Sequence, residues 1–224
     1  MARIFYSMAG EGRGHATRVR SIVELLRHEH ELSLFAPAEA FGMLSAAYKG
    51  TEVRVSRIPG LMFHYTNGQM NYLRTAWDAA RYLVHLRRLV RRLETAIRHE
   101  EPDLVITDFE PSLPRAAARL GVPYLSIDHQ HFLVDCDLFQ LPWLRRTQAA
   151  MMASVVRNYY RHQVESVISS FYFPPLKPGR MNVTQVGVLL RPEIAAARPE
   201  QAGHLLVYMR RFADKKFFEA LLKC

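Results

Sequence analysis

An apolar run from Ile4 to Met8, interrupted at Ser7, is followed by Gly10-Glu11-Gly12-Arg13-Gly14-His15. Ala16 to Arg27 comes next, with Val19, Ile22, Val23 and Leu26 on one helical face. The pattern predicts a strand, a tight loop and a helix. A second strand is expected at Leu32 to Ala36, stopped by Pro37. A helix from Ala38 to about Tyr48 and a third strand from Val53 to Ile58 lead to Pro59-Gly60. Leu61 to Asn71 carries large side chains with neither helical nor strand period and reads as a functional loop. From Tyr72 to about His99 apolar positions recur at steps of three and four with arginines between them, as in one long amphipathic helix or two with a kink.

The second half repeats the alternation. Leu104 to Thr107 is a short buried-type strand ending in Asp108, Pro111 to Leu120 is a helix closed by Gly121, and Tyr124 to Ile127 is a strand ending in Asp128-His129. A helix from about Leu144 to Val164 follows, on which the pairs Met151-Met152 and Tyr159-Tyr160 read as packing. Strands are then expected near Val167 to Phe173 and Val183 to Leu189. Strands alternating with helices imply an α/β fold, a parallel sheet with helices on both faces. Arg191 to Gly203, with two prolines and a run of three alanines, reads as a linker. His204 to Met209 is again strand-like and Lys215 to Lys223 helix-like. One such pair cannot bury both faces of a sheet, so it either joins the first sheet or begins a second domain. The position of the linker favours the second.

Composition narrows the partners. With 49% hydrophobic and 23% charged residues, disorder and collagen are excluded. Thirty Lys+Arg against 21 Asp+Glu leave a net charge of +9, and only five of the cations are lysine. Forked guanidinium contacts to phosphate or carboxylate are favoured, on polyanions, phosphorylated ligands or an anionic membrane. Arginines, Trp77, Tyr72 and Tyr82 on the long helix would suit an anionic membrane surface, although solvated charge on a core helix has the same pattern. Nucleic acid is not expected, because the basic residues are scattered and no recognition motif accompanies them. Two cysteines without paired spacing indicate neither a zinc site nor a disulfide framework and fit a cytoplasmic protein. No apolar stretch approaches the roughly 20 residues needed to span a bilayer.

Glycines at a strand-to-helix junction free backbone amides beside the positive end of a helix dipole, a seat for phosphate or developing negative charge. Neither register of the glycines completes a dinucleotide fingerprint, because the third glycine is replaced by His15 or Thr17, and no GxxxxGK[ST] loop is present. A histidine at a helix start has its cation disfavoured by the dipole. His15 is thus a candidate general base, or a simple helix cap. Asp108, at the end of another parallel strand, opens on the same crevice. It would orient that imidazole, or cap the helix that follows.

Four segments together, Gly10 to Arg18, Asp103 to Pro111, Val122 to His129 and Val186 to Pro192, resemble the amino-terminal domain of GT-B glycosyltransferases. The nearest are bacterial and archaeal enzymes related to the lipid-linked N-acetylglucosamine transferase of peptidoglycan synthesis and to diacylglycerol sugar transferases. The resemblance implies a Rossmann-like acceptor domain over 1–190, an interdomain linker over 191–203, and over 204–224 the first strand and helix of a donor domain. It implies inverting transfer from a nucleotide-sugar, with a UDP-sugar as the expected donor, to a hydroxyl of a lipid or cell-envelope glycan acceptor, on the inner face of the plasma membrane. His15 would be the base and Asp108 its orienting partner. Gly12, Arg13, Gly14, Arg18, Glu110, Asp128 and His129 would bind substrate, and no metal or cofactor is called for. The alternative is a non-catalytic or truncated acceptor-binding module. With donor-binding loops expected beyond residue 224, the chain alone is expected to lack transferase activity.

Overall fold

A computed structural model describes residues 1–10, 13–62, 64–66, 69–159, 162–203, 207 and 217–219. The first half contains β1 (Arg3–Met8), α1 (Arg13–Leu26), β2 (Glu31–Ala36), α2 (Ala38–Ala47) and β3 (Arg54–Arg57), then the short pair β4 (Tyr65–Thr66) and β5 (Gln69–Met70) and the 29-residue α3 (Tyr72–Glu100). The second half contains β6 (Leu104–Asp108), α4 (Ser112–Leu120), β7 (Tyr124–Asp128), α5 (Phe132–Asp135), α6 (Trp143–Tyr159), β8 (Glu165–Ser169), β9 (Val183–Val186) and α7 (Pro192–Ala195).

Seven strands form one parallel sheet in the order β3-β2-β1-β6-β7-β8-β9. The expected α/β fold is present. Alternation within the strands builds a core on each face. Ile4, Tyr6 and Met8 turn to α1 and α2 with Val19, Val23 and Leu44. Phe5 and Val105 turn to α3 and α4 with Leu89, Leu93, Ile97 and Leu113. Burial on both faces explains why these strands read as continuous apolar runs.

Several expectations need correction. The helix after the glycine loop starts at Arg13 rather than Ala16, taking Gly14 and His15 into its first turn. The expected loop at Leu61 to Asn71 holds the antiparallel pair β4-β5. The long helix is a single element; the Asn71 side chain accepts the Arg74 N–H at 3.0 Å at its start, and Glu101 ends it in a left-handed conformation. Tyr82 faces the core, 9% exposed, and not a headgroup layer. Met151 and Met152 are exposed; Ala153 and Val156 are the buried residues of α6, and Tyr159 packs as expected. The strand placed at Val167 to Phe173 is Glu165–Ser169, and that at Val183 to Leu189 ends at Val186. The expected linker carries the single turn α7. The expected strand at His204 to Met209, the helix at Lys215 to Lys223, Gly12 and Tyr160 lie wholly or largely outside the described residues. No described helix is long and apolar enough to cross a membrane.

Candidate active site

The chain steps outward from β1 to β2 and β3, then returns to β6 on the other side of β1. The carboxyl ends of β1 and β6 therefore flank the switch point where ligands bind in open α/β sheets. Met8 and Asp108 are direct neighbours in the ladder, and the Ala9 N–H donates to the Asp108 carbonyl at 2.8 Å. Gly10 is required for close approach: a Cβ there would stand 2.5 Å from Pro37 Cγ and 2.6 Å from the Pro37 carbonyl oxygen. Gly14 differs, because among the described residues nothing lies within 4 Å of the position its Cβ would take. The space over the first turn of α1 is open, and Arg13 and Gly14 are exposed.

His15 projects from that turn to the end of β6, where its Nδ1 meets Asp108 Oδ1 at 2.9 Å. Asp108 is fully buried. Arg18, one turn along α1, donates from Nε to Oδ2 and from Nη2 to Oδ1, both at 2.8 Å. Burial works against the Arg18 cation, but the charge and hydrogen bonds of Asp108, with Asp128 beyond, outweigh it and raise its pKa. The buried Tyr6 hydroxyl has no hydrogen-bond partner among the described residues. Burial first, then the charge of Asp108, pushes its pKa well up, so it stays protonated.

The helix-cap role considered for Asp108 belongs to Glu110. Its carboxylate accepts the N–H groups of Ser112 at 2.8 Å and Leu113 at 3.0 Å, and the Tyr82 hydroxyl at 3.3 Å. At 2% exposure it presents no surface to a ligand, because the unpaired amides of the first turn of α4 draw it inward. Burial and the Glu110 charge push the Tyr82 pKa far up, so that phenol remains a donor. Between Asp108 and Glu110, Phe109 adopts a left-handed φ of 56°, a conformation bulky side chains rarely take. Its ring lies 4.6 Å from Tyr159 and 6.4 Å from His15, centre to centre. Beyond Tyr159 an apolar cavity of about 280 Å³ opens between α3, α4 and α6, walled by Leu61, Tyr82, Leu83, Leu86 and Val155.

Asp128 and His129 part company. Asp128 is buried and accepts the His131 N–H at 2.9 Å and meets His131 Nδ1 at 2.8 Å, fixing the turn into α5. His129 is exposed at the sheet crest, its Nδ1–H donating to the Ser169 carbonyl at 3.0 Å. Among the described residues no cluster of three His, Cys, Asp or Glu side chains is placed to hold a metal ion.

The family described as Glycosyl transferase family 1 matches over residues 2–224. The chain belongs to this family. No curated protein matches it. Among solved structures, this family 1 chain is similar to Phytolacca americana UGT2 complexed with UDP-2fluoro-glucose and pterostilbene, with a TM-score of 0.58 and 17% identity over 85% of this chain and 55% of that one. It is also similar to a UDP-glucosyltransferase from Polygonum tinctorium capable of glucosylating indoxyl, with a TM-score of 0.55 and 13% identity over 90% and 55%. Acinetobacter baumannii MurG gives 0.46 and 15% identity over 82% and 44%. The chain spans about half the length of these proteins. The fold is that of the amino-terminal domain of a GT-B glycosyltransferase.

Within the family 1 domain, the structure brings His15, Asp108 and Arg18 together and leaves Arg13 and Gly14 open above them. It turns Glu110 and Asp128 inward. Sequence reading missed Phe109, Tyr6, Tyr159 and His131. The last had a signal in the Asp128-x-x-His131 spacing, which suits a side chain closing a turn. A left-handed phenylalanine has none.

Proposed function

We propose that the chain is the acceptor-side domain of an inverting glycosyltransferase that moves a sugar from a UDP-sugar to a hydroxyl group. The observation that carries this is the contact of His15 with the buried Asp108 at the switch point, beneath open space at the start of α1. With Nδ1–H held by Asp108, Nε2 is left to take the proton of the acceptor hydroxyl. The oxygen attacks the anomeric carbon as the bond to the diphosphate breaks, which inverts that centre. The imidazolium formed faces the Asp108 carboxylate, and the N-terminal amides of α1 at Arg13 and Gly14 are positioned to meet the departing negative charge. The likeness to a protein solved with UDP-2fluoro-glucose supports UDP as the nucleotide.

Residues 1–190 would then form the acceptor domain, 191–203 the linker, and 204–224 the start of the donor domain. The apolar cavity reached across Phe109 favours an acceptor with a lipid or other apolar body over a bare glycan. The outer side of α3, where Leu73, Trp77 and Val84 are 87%, 67% and 74% exposed among arginines, would rest on an anionic membrane. The test is turnover of a UDP-sugar panel by the two-domain protein, wild type beside His15→Ala. Loss of about 100-fold or more with the fold intact is expected for a general base. Equal turnover in the two proteins would refute the role.

A further inference from the structure

Three polar contacts converge on one carboxylate that water does not reach. Asp108 is fully buried, while the side chains of Arg18 and His15 are 16% and 15% exposed. Arg18 takes both Asp108 oxygens at 2.8 Å, and His15 Nδ1 shares Oδ1 at 2.9 Å. Arg18 Nη2 also lies 3.2 Å from His15 Nδ1. Guanidinium nitrogens only donate, so two arrangements exist. In one, Nδ1 accepts from Arg18 and sets a lone pair against the Asp108 anion in a dry site. In the other, Nδ1–H donates to Asp108, and Nη2 gives one of its two hydrogens to Oδ1. Only the second pairs a donor with every oxygen contact.

We propose that Arg18 is a positioning residue for His15: it grips both oxygens of Asp108, imposes the Nδ1–H tautomer that leaves Nε2 as acceptor, and offsets the charge of the carboxylate that faces the imidazole. Its catalytic meaning rests on His15 being the base proposed above. Arg18 is thereby assigned to Asp108 and not to substrate. The spacing serves the role, since residues three apart on α1 share a face.

The same molecule contains the contrasting case. His131 Nδ1 meets the buried Asp128 Oδ2 at 2.8 Å. Burial opposes its cation, but the Asp128 charge and hydrogen bond outweigh that and raise its pKa. A base held like that holds its own proton more tightly. Among the described residues, the titratable and charged groups around the His15 cluster are Arg18 on α1, Tyr6 on β1, Asp108 on β6 and Asp128 on β7 with its partner His131. Tyr6 is neutral and His131 pairs with Asp128, so Arg18 is the cation that balances Asp108. Without it, the His15 ring faces an unbalanced carboxylate.

The experiment is a pH titration of the 224-residue chain with 15N-labelled histidine, reading tautomer and midpoint from long-range proton–nitrogen correlations, with His15 assigned by His15→Gln. Wild type should show the Nδ1–H tautomer. Arg18→Gln should raise the His15 midpoint by about one pH unit or more, the size expected for a lost neighbouring charge. Arg18→Lys should hold the midpoint within about half a unit but mix the tautomers, because an ammonium is a point charge that does not fork across two oxygens. An Nε2–H tautomer in wild type would overturn the proposal, as would an unchanged midpoint in Arg18→Gln or a pure wild-type tautomer in both variants. Loss of the His131 signals in both variants would also overturn it, by assigning the ion pair to stability alone. Absence of transferase turnover would count against the base and leave these signals unaffected, so the two failures are distinguishable.

Discussion

Gly10, before α1, and Gly14, in its first turn, answer to different physics. At Gly10 a methyl group would collide with the Pro37 ring and backbone, so Gly10→Ala should cost about 1–3 kcal/mol in urea unfolding. At Gly14 the space is open, and Gly14→Ala should leave stability unchanged or raise it by up to about 1 kcal/mol through helix propensity. Equal losses at both positions would refute this division. A second residue-scale expectation concerns pH. Burial opposes the His131 cation, yet Asp128, joined by Asp135, holds its folded pKa above the ordinary 6.5. A group that binds its proton more tightly when folded stabilises fully below about 6.5 and loses that contribution as pH rises through the folded value. Urea stability should therefore fall across that window, and His131→Gln should flatten the fall; an unaltered slope would count against the pair. His15 and Asp108 were legible because glycines and strand ends mark where side chains reach a crevice. The burial of Glu110 was not, since a carboxylate two residues past a strand can face a ligand or the next helix.

At the scale of elements, α3 carries two apolar stripes with opposite fates. Tyr82, Leu86, Leu89, Val90, Leu93 and Ile97 face the sheet, and Leu93 is 2% exposed. Leu93→Ala should cost about 2–5 kcal/mol. Trp77 lies on the other side, and Trp77→Ala should change stability by no more than about 0.5 kcal/mol. Denaturation of the two variants in parallel checks this; a large loss at Trp77 would place it in the core. Steps of three and four identified the helix, and they do not say which stripe meets the sheet. Tyr82, expected near headgroups, is claimed by Glu110 and the core. The fraying of the sequence signal near β8 and β9 has a related cause: Phe171, Tyr172 and Phe173 continue an apolar run beyond the last ladder partner, and all three are exposed.

At the scale of the whole molecule, the proposed membrane contact rests on the +9 charge and on the arginines beside Trp77 and Val84, a pattern suited to an anionic bilayer. Binding of the chain to vesicles should rise with anionic lipid, weaken with salt, and drop in Trp77→Ala combined with Arg81→Gln. Binding indifferent to lipid charge would remove the membrane reading. The sequence by itself determined the α/β class, the alternation of elements, and the placing of His15 and Asp108 at element ends, because local periodicity, glycine and proline act within a few residues of themselves. It did not determine that β6 returns beside β1, since strand order is set by which apolar faces can be buried together over about a hundred residues. That return makes neighbours of Met8 and Asp108, and through them of His15, Arg18 and the carboxylate they share. Contacts of this kind span positions 15, 18 and 108, and only tertiary packing decides them.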